Sequence, residues 1–348
     1  MSAEGNPPSG VGDARDAAFM SGIVAWGIDV GGTWTRVGGI DDGEAIVVAR
    51  RVLTFAEGGV GPDGDEFVAH LAQHVRELTG APWSSDHSAG ARVGDPPPVA
   101  APVGVALAGI VDRSAGRLIR SVNLPFLEGF PVVDALGESL HGPVALCSDA
   151  EAAAWAEYQA CRERPDRFVH LRIGTGIACG LVLDGELQDI VQGRTTHWPL
   201  LIVDPSVTAP VCPCGLHGCL EVVASGRALR EQALRSSDSM SLMSLNTACE
   251  KGDPAAARIV QRAAEGLSIA LRRIVEEFAP SVVVLGGGVV EQLPCLVREA
   301  RRLTGDAGAR IELARAGDDA GWLGAAGMAL QAQGMTDRSR GPGPSRSG

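Results

Sequence analysis

The stretch Gly27-Ile28-Asp29-Val30-Gly31-Gly32-Thr33-Trp34-Thr35-Arg36 decides how the first half of this chain folds. It places a short apolar strand before a carboxylate and a glycine turn, after which the chain returns. Glycine lets main-chain N–H groups approach an anion, and Thr33 adds a hydroxyl donor. Asp29 is able to hold Mg²⁺ directly or through water. The pattern indicates a phosphate-binding turn, with an ordinary hairpin turn as the alternative when the motif is taken alone.

The residues around this turn predict an α/β lobe. We expect a first strand over 23–29 and two returning strands over 36–40 and 45–53, which together form three antiparallel strands. Helical spacing of apolar residues from Phe67 to Leu78 predicts a helix, and the Ser-, Gly- and Pro-rich stretch 82–98 predicts a loop. Further along, the pattern predicts a buried strand over 99–107, a helix that begins at Pro131, and a strand over 144–147.

The second half of the chain repeats this plan. A strand over 168–173 leads into Gly174-Thr175-Gly176-Ile177-Ala178-Cys179-Gly180, and the chain returns over 181–183. Helices are predicted over 225–234, 253–278 and about 318–331, and a strand over 281–285 leads into Gly286-Gly287-Gly288. Two such halves suggest two phosphate-binding turns that face each other. Taken alone, the second glycine cluster could be a β-turn and the third the start of a helix.

Composition limits the class of protein. With 348 residues and 45% hydrophobic content, the chain has enough apolar material for two cores, so we expect a bilobal protein. The net charge of −12 and the lack of a basic run argue against a nucleic-acid partner. We expect a cytoplasmic protein, because no apolar run approaches the roughly 20 residues of a membrane span and residues 1–22 are unlike a signal peptide. Residues 1–22 and 335–348 are expected to be a disordered leader and tail.

Three of the eight cysteines predict a structural zinc site. Cys212, Cys214 and Cys219 place three thiols on one glycine-containing turn, as a tetrahedral Zn²⁺ site requires. A fourth ligand is then needed. Three reduced cysteines without a metal are the alternative.

Six motifs in a fixed order resemble the ROK family of sugar kinases and sugar-responsive repressors. The motifs are Asp29-Val30-Gly31-Gly32-Thr33, Asn123-Leu124-Pro125, Ser148-Asp149-Ala150, Gly174-Thr175-Gly176, Cys212-x-Cys214-Gly215-x-x-Gly218-Cys219-x-Glu221 and Leu285-Gly286-Gly287-Gly288. The likeness extends over about residues 23–334. It implies the actin-like ATPase (ribonuclease H-like) fold, an α/β architecture with two lobes and a cleft between them. We therefore expect a smaller lobe over 23–146 and a larger one over 147–334, with the last helix packing back on the first lobe.

The resemblance also assigns roles to the motif residues. It implies that ATP and Mg²⁺ are held by Asp29, Gly31, Gly32, Thr33, Gly174, Thr175, Gly176, Gly286, Gly287 and Gly288. It implies that Asp149 is the base that accepts the proton of the sugar hydroxyl, a role for which a carboxylate at a strand end is chemically suited. An N-cap for the alanine-rich segment 150–160 is the alternative for Asp149. Asn123 and Glu221 are expected to face the sugar.

This sequence departs from the family where the sugar and the metal are bound. The family's Gly-Glu-x-Gly-His run matches residues 193–197 here, which puts Arg194 in the acidic position and His197 in that of the fourth zinc ligand. When the family's run is aligned without a gap, His197 takes the position of the carboxylate instead. His217 is a second candidate for the fourth zinc ligand. Ser148 and Glu151 stand where the family usually has Asn. We therefore expect the sugar to contact Ser148, Glu151, Arg194 and His197.

These changes leave two sugar hypotheses and two other classes of function. A glucokinase-like enzyme that phosphorylates the 6-hydroxyl of glucose is one, and a kinase for a modified hexose such as kanosamine or an N-acetylhexosamine is the other. A DNA-binding repressor is disfavoured because 22 residues are too few for a winged helix before the first strand. A sugar-sensing relative without catalysis is disfavoured because Asp29 and Asp149 are both present. We expect a homodimer.

Overall fold

The computed structural model describes residues 22–43, 46–54, 63–79, 99–189, 201–206, 208–212, 214–235 and 241–334. Their strands are β1 Ala25–Val30, β2 Trp34–Ile40, β3 Ile46–Leu53, β4 Val103–Leu107, β5 Ile110–Asp112, β6 Arg117–Arg120, β7 Val144–Ser148, β8 Arg167–Ile173, β9 Ile177–Leu183, β10 Glu186–Gln188, β11 Val282–Gly286 and β12 Arg310–Leu313. The helices are α1 Gly64–Thr79, α2 Val132–Leu140, α3 Asp149–Gln159, α4 Glu221–Ala224, α5 Gly226–Leu234, α6 Leu242–Glu250, α7 Pro254–Phe278, α8 Gly288–Gln292, α9 Pro294–Thr304 and α10 Ala320–Ala332. Among the described helices, none is long and apolar enough to cross a membrane.

The first sheet is built around β1, in the strand order β3-β2-β1-β4-β7. β1 pairs antiparallel with β2, and β2 pairs antiparallel with β3, which confirms the three antiparallel strands expected at the start. On the other side of β1, strands β4 and β7 run parallel to it. Ala25, Trp26, Ile28 and Val30 are all buried, as befits a central strand covered on both faces.

The second sheet has the same topology, in the order β10-β9-β8-β11-β12. β8 returns antiparallel into β9 and then β10, while β11 and β12 lie parallel to β8. Asp184 and Gly185 both have positive φ (50° and 80°), so this Asp-Gly turn joins β9 to β10 as a tight hairpin. The repeated plan is therefore confirmed, although β10 and β12 are strands that the sequence did not predict.

The last helix, α10, packs against β1 and β4 of the first sheet and against α3. Two glycines permit this close approach. A β-carbon at Gly27 or Gly104 would lie 1.8 Å from the carbonyl oxygen of Trp322 or Ala325, respectively. The Trp322 side chain is fully buried and packs with Ala25 and Ile40. The final segment of the chain thus covers a face of the first sheet.

The two sheets carry separate apolar cores. One core fills the space between β1, β4 and the helices α1 and α2, with Phe67, Leu71 and Leu136 fully buried or nearly so. The other lies under α7, whose Leu267 and Leu271 are fully buried. Each fully buried side chain of this kind contributes about 1.5–3 kcal/mol to the free energy of unfolding. These two cores are what the hydrophobic content predicted.

Several predicted element boundaries are wrong. The strand expected over 99–107 begins only at Val103, because Pro102 has no N–H to donate and Val99 bonds instead to the carbonyl of Leu140. The last helix begins at Ala320 rather than near Asp318, after a short 3₁₀ turn at Gly317–Asp319. The loop predicted over 82–98 and the predicted leader and tail lie outside the described residues, except Gly22.

Candidate active site

A pocket between the two sheets collects charged side chains and one glycine turn. It is lined by Asp29, Arg36, Arg172, Asp318, Gly321 and Gly286-Gly287-Gly288. Of the residues expected to hold the nucleotide, Asp29 and the third glycine turn therefore lie together. Gly31 to Thr33 and Gly174 to Gly176 lie outside the described lining of this pocket.

Asp29 is the most perturbed of the carboxyl groups facing the pocket. Its pKa is raised to about 6, mainly by burial and secondly by the nearby charge of Asp149, while Arg172 and Arg36 act in the opposite direction. Nη1 of Arg36 lies 3.7 Å from Oδ2 of Asp29. A carboxylate that is shielded from water and only loosely paired with a cation suits a hard divalent metal such as Mg²⁺.

The first glycine turn is anchored on one side by Thr54. The N–H of Gly31 donates to the carbonyl of Trp34, and Thr54 donates its N–H to the carbonyl of Thr33 and its hydroxyl to that of Gly31. On the other side, a β-carbon at Gly32 would lie 3.2 Å from the Asn123 side chain. The structure thus places the predicted phosphate-binding turn next to Asn123, which was predicted to bind the sugar.

Asn123 is held in place by a serine at the start of its turn. Ser121 Oγ accepts hydrogen bonds from the N–H groups of Asn123 and Leu124 and donates one to the carbonyl of Ala108. Ser121 is itself buried. This fixes the backbone on both sides of the Asn123 side chain.

Asp149 is the first residue of α3, and its alternative role as N-cap is wrong. Ser148 is the N-cap: its side chain accepts from the N–H of Glu151, and the Glu151 carboxylate accepts in return from the N–H of Ser148. This is a capping box. Asp149 is therefore not needed as the cap, and its Oδ2 lies 3.1 Å from Nη1 of Arg172.

The carboxylate of Glu151 has partners within the protein. Oε2 accepts from both the N–H and the hydroxyl of Ser148, and Oε1 lies 3.4 Å from Nε of Arg113. Burial raises the pKa of Glu151, while Arg113 lowers it. Contact of Ser148 and Glu151 with a sugar stays a prediction, and a sugar would have to share the carboxylate with Arg113.

The second glycine turn is tied to the start of α5. The N–H of Gly226 donates to the carbonyl of Gly174, and the N–H of Arg227 donates to that of Thr175. The turn is shorter than predicted, because β9 already begins at Ile177 and Gly180 lies within that strand. What the sequence shows as one long glycine segment is a three-residue turn followed by a strand.

The third glycine turn lies against a buried histidine that sequence reasoning missed. Gly287 has φ 93°, a conformation that favours glycine, and a β-carbon at Gly286 would lie 2.7 Å from Nε2 of His170. His170 is 3% exposed, and neither ring nitrogen has a hydrogen-bond partner among the described residues. Its pKa is lowered to about 3, mainly by burial and secondly by the nearby positive charge of Arg172.

The alternation of β8 could have revealed His170 and Arg172. Successive side chains of a strand point to opposite faces, so Phe168, His170 and Arg172 share one face. Phe168 packs on Tyr158 of α3, which identifies that face as the one turned toward α3 and the pocket. Local motifs gave no such signal.

The cysteine cluster has the geometry of a metal site. The sulfur atoms of Cys212, Cys214 and Cys219 all lie within 4.8 Å of one another, with 3.6 Å between Cys214 and Cys219. Their soft thiolate donors and close spacing fit Zn²⁺. Gly215 and Gly218 have positive φ (90° and 64°), which lets the chain wrap around the sulfurs.

The candidates for a fourth zinc ligand are two histidines. Nδ1 of His217 lies 2.9 Å from the carbonyl oxygen of Ala209, so one ring nitrogen is engaged away from the cluster. His197, the preferred candidate, and Arg194 lie outside the described residues. Both assignments stay predictions.

Known proteins resemble this chain in sequence and in fold. A sequence model of the ROK family matches residues 96–332. N-acetylmannosamine kinase of Yersinia pestis (strain Pestoides F) is 32% identical over 229 residues, which is 64% of this chain and 78% of that protein.

Two solved structures extend the likeness to three dimensions. The ROK hexokinase of Thermus thermophilus superposes with a TM-score of 0.71 at 30% identity, covering 89% of this chain and 99% of that one. A ROK family glucokinase from Streptomyces griseus, solved with glucose and AMPPNP, gives 0.65 at 25% identity, with 88% and 99% covered. The expected two-lobed α/β fold of the actin-like ATPases is thereby confirmed.

Proposed function

Because the chain belongs to the ROK family, we propose that it is a sugar kinase that transfers the γ-phosphoryl group of ATP to the 6-hydroxyl of a hexose. The observation that carries this proposal is that Asp29 and Arg172 line one pocket beside a glycine turn, with the Asp149 carboxylate in contact with Arg172. The Streptomyces glucokinase, whose structure contains glucose and AMPPNP, supports ATP as the donor.

In this proposal the protein positions donor and acceptor. Phosphoryl transfer passes through a loose transition state, so catalysis depends on orientation and on neutralising charge. The glycine turns offer main-chain N–H groups to the phosphates, and Asp29 holds Mg²⁺. When bound, Mg²⁺ supplies positive charge to the phosphate oxygens.

Asp149 acts as the general base. It lies at the carboxyl end of β7, where α3 begins, and its carboxylate is partly exposed, so an incoming hydroxyl is able to reach it. As the oxygen–phosphorus bond forms, the hydroxyl proton passes to Asp149 and ADP leaves with the electrons of the broken bond. Asn123 and Glu221 are proposed to orient the sugar ring.

A kinase for a modified hexose is the second candidate. The 32% identity to an N-acetylmannosamine kinase supports it, as does Arg194 at the family's acidic position. Glu151 is less available for an amino sugar such as kanosamine than the sequence suggested, because Ser148 and Arg113 already contact it. Glu221 is engaged in the same way, by the N–H of Ile177 and by Nη2 of Arg227, so either carboxylate would have to share its oxygens with the amino group of such a sugar.

A substrate panel tests the function and the sugar together. We would measure kcat/KM with ATP for glucose, glucosamine, kanosamine, N-acetylglucosamine and N-acetylmannosamine, using Asp149→Asn as the inactive control. Preference for glucose that Arg194→Glu leaves unchanged would favour the glucokinase. Preference for an acetylated or amino sugar would favour the second candidate. No turnover with any of these sugars would contradict the kinase proposal.

Three further features belong to the same proposal. We propose one structural Zn²⁺ held by Cys212, Cys214, Cys219 and His197, supported by the sulfur cluster. We propose a homodimer in the cytoplasm. We propose that the boundary between the lobes lies near residue 146. We also propose that the last helix returns to the first lobe, which the packing of α10 on β1 and β4 supports.

A further inference from the structure

Arg172 occupies a position that the proposed mechanism does not yet use. It lies near the carboxyl end of β8, and its side chain is 44% exposed within the pocket that Asp29 and Gly286 line. Its Nη1 lies 3.1 Å from Oδ2 of Asp149, the proposed base. A cation in contact with the group that must accept a proton has a direct bearing on the reaction.

Of the two arginines that line the pocket, Arg172 is the one with N–H donors still able to bind a ligand. Arg36, the other arginine of the lining, contacts two carboxylates, at 3.7 Å from Asp29 and 3.4 Å from Asp318. Arg172 makes its one contact through Nη1, and its other N–H groups have no partner in the part of the chain that the structure describes. A guanidinium has five N–H donors in a fixed fork, so it is able to bind a second anion while keeping the first.

We propose that Arg172 is a catalytic residue that bridges Asp149 and the γ-phosphoryl group during transfer. This inference rests on the sugar-kinase function proposed above and adds a role within it. Before the donor binds, Arg172 orients the Asp149 carboxylate. When the triphosphate enters, the free N–H groups of Arg172 bind the oxygens of the terminal phosphoryl group.

The phosphoryl transfer needs no reactant other than ATP and the sugar. The sugar oxygen forms a bond to the γ-phosphorus, the bond from that phosphorus to the β–γ bridging oxygen breaks, and ADP carries the electron pair away. The hydroxyl proton goes to Asp149. Arg172 stays protonated throughout and stabilises the negative charge on the transferred group, where a positioned donor has its largest effect on rate.

Folding does not depend on Arg172 to any large degree. Its side chain is almost half exposed, and an ion pair in that setting contributes little to stability. Proteins with a substitution at Arg172 should therefore fold, and the effects should appear in nucleotide binding and turnover. Lysine offers one point charge in place of a planar fork, so it should preserve only part of the function.

The experiment compares Arg172→Met and Arg172→Lys with Arg167→Met. Arg167 is the control because it lies on the same strand, is exposed, and contacts the carbonyl of Phe278 at 2.9 Å, away from the pocket. We expect Arg172→Met to lower kcat by about 10²-fold or more with a much smaller change in the KM for sugar. Arg172→Lys should recover part of the loss, and Arg167→Met should resemble the wild type.

A binding measurement separates this inference from the function on which it rests. Arg172→Met should weaken binding of a non-hydrolysable ATP analogue by about tenfold but leave ADP binding nearly unchanged, because the residue addresses the terminal phosphoryl group. Equal binding of the analogue by Arg172→Met and wild type would overturn the assignment, and so would a kcat within threefold of wild type. A wild-type protein that phosphorylates no sugar, yet shows the binding difference, would contradict the kinase function and leave the phosphoryl contact supported.

Discussion

The main-chain N–H of Ile177 donates a 2.9 Å hydrogen bond to Oε2 of Glu221. Glu221 follows the cysteine cluster directly, and Ile177 follows the second glycine turn, so one side chain connects the proposed zinc site to the proposed phosphate site. A β-carbon at Gly176 would lie 2.7 Å from the same oxygen, so a larger residue there would force the Glu221 carboxylate to shift. The other oxygen, Oε1, lies 3.0 Å from Nη2 of Arg227.

Replacing Glu221 should therefore destabilise the second glycine turn. Glu221→Ala leaves the N–H of Ile177 without its acceptor in a largely buried position, and we expect a loss of about 1–3 kcal/mol in the free energy of unfolding. Glu221→Gln keeps an oxygen acceptor and should recover part of this. Urea unfolding of the two variants measures both effects, and Glu221→Ala unfolding at the wild-type urea concentration would disprove the structural link.

Asp149→Asn should abolish phosphoryl transfer while the protein stays folded. The substitution removes the base but changes little volume, and the capping box of α3 does not involve the Asp149 side chain. We expect kcat to fall by about 10²-fold or more. Steady-state kinetics together with ATP-analogue binding decide the matter: a variant that keeps more than half of the wild-type kcat would remove Asp149 from the mechanism.

Local sequence patterns predicted the strands and turns well for a physical reason. The antiparallel pairs are joined by Asp-Gly and glycine turns, whose conformations few other residues adopt, so these residues mark the turns. The Ser148-x-x-Glu151 pair was a readable capping box, and it could have shown beforehand that Asp149 is not the N-cap.

The rest of the site depends on contacts between distant parts of the chain. Arg172 reaches Asp149 across 23 positions of sequence, and no local motif records such a pairing. The packing of α10 on β1 depends on Gly27, whose importance becomes visible only when the Trp322 carbonyl is seen against it. The hairpin of β5 and β6, the strands β10 and β12 and the helices α4, α6, α8 and α9 were not predicted. All of these except α6 and α9 are five residues long or shorter, so their apolar patterns are short.

The cysteine cluster should hold one Zn²⁺ for each chain and support the fold. Metal analysis of protein purified without added zinc should give about one equivalent, and Cys214→Ser should lose both the metal and thermal stability, because structural zinc binding contributes to folding. Cys161→Ser is a matched control, since Cys161 is also partly exposed but lies outside the cluster. Metal-free protein with an undiminished melting temperature would contradict the assignment.

His170 should make the protein less stable in mild acid. Its pKa is lowered to about 3 by burial, from an ordinary value of 6.5, so the folded chain leaves it neutral where the unfolded chain binds a proton. The folded state is therefore favoured fully above pH 6.5 and loses stability as the pH falls toward 3. At 1.36 kcal/mol for each pH unit, the loss from this group is about 2 kcal/mol at pH 5.

His170→Leu should remove this part of the pH dependence. The leucine side chain has no polar atom to bury and no group that titrates. Between pH 7.5 and pH 5, the free energy of unfolding of the variant should therefore rise by about 2 kcal/mol relative to that of the wild type. Urea unfolding at pH 7.5, 6 and 5 measures the difference. His141→Asn is the control, because His141 is exposed and has φ 52°, a conformation that asparagine also adopts. Its curve should follow that of the wild type, and if the His170→Leu curve does so as well, then the buried imidazole is not what makes the fold sensitive to acid.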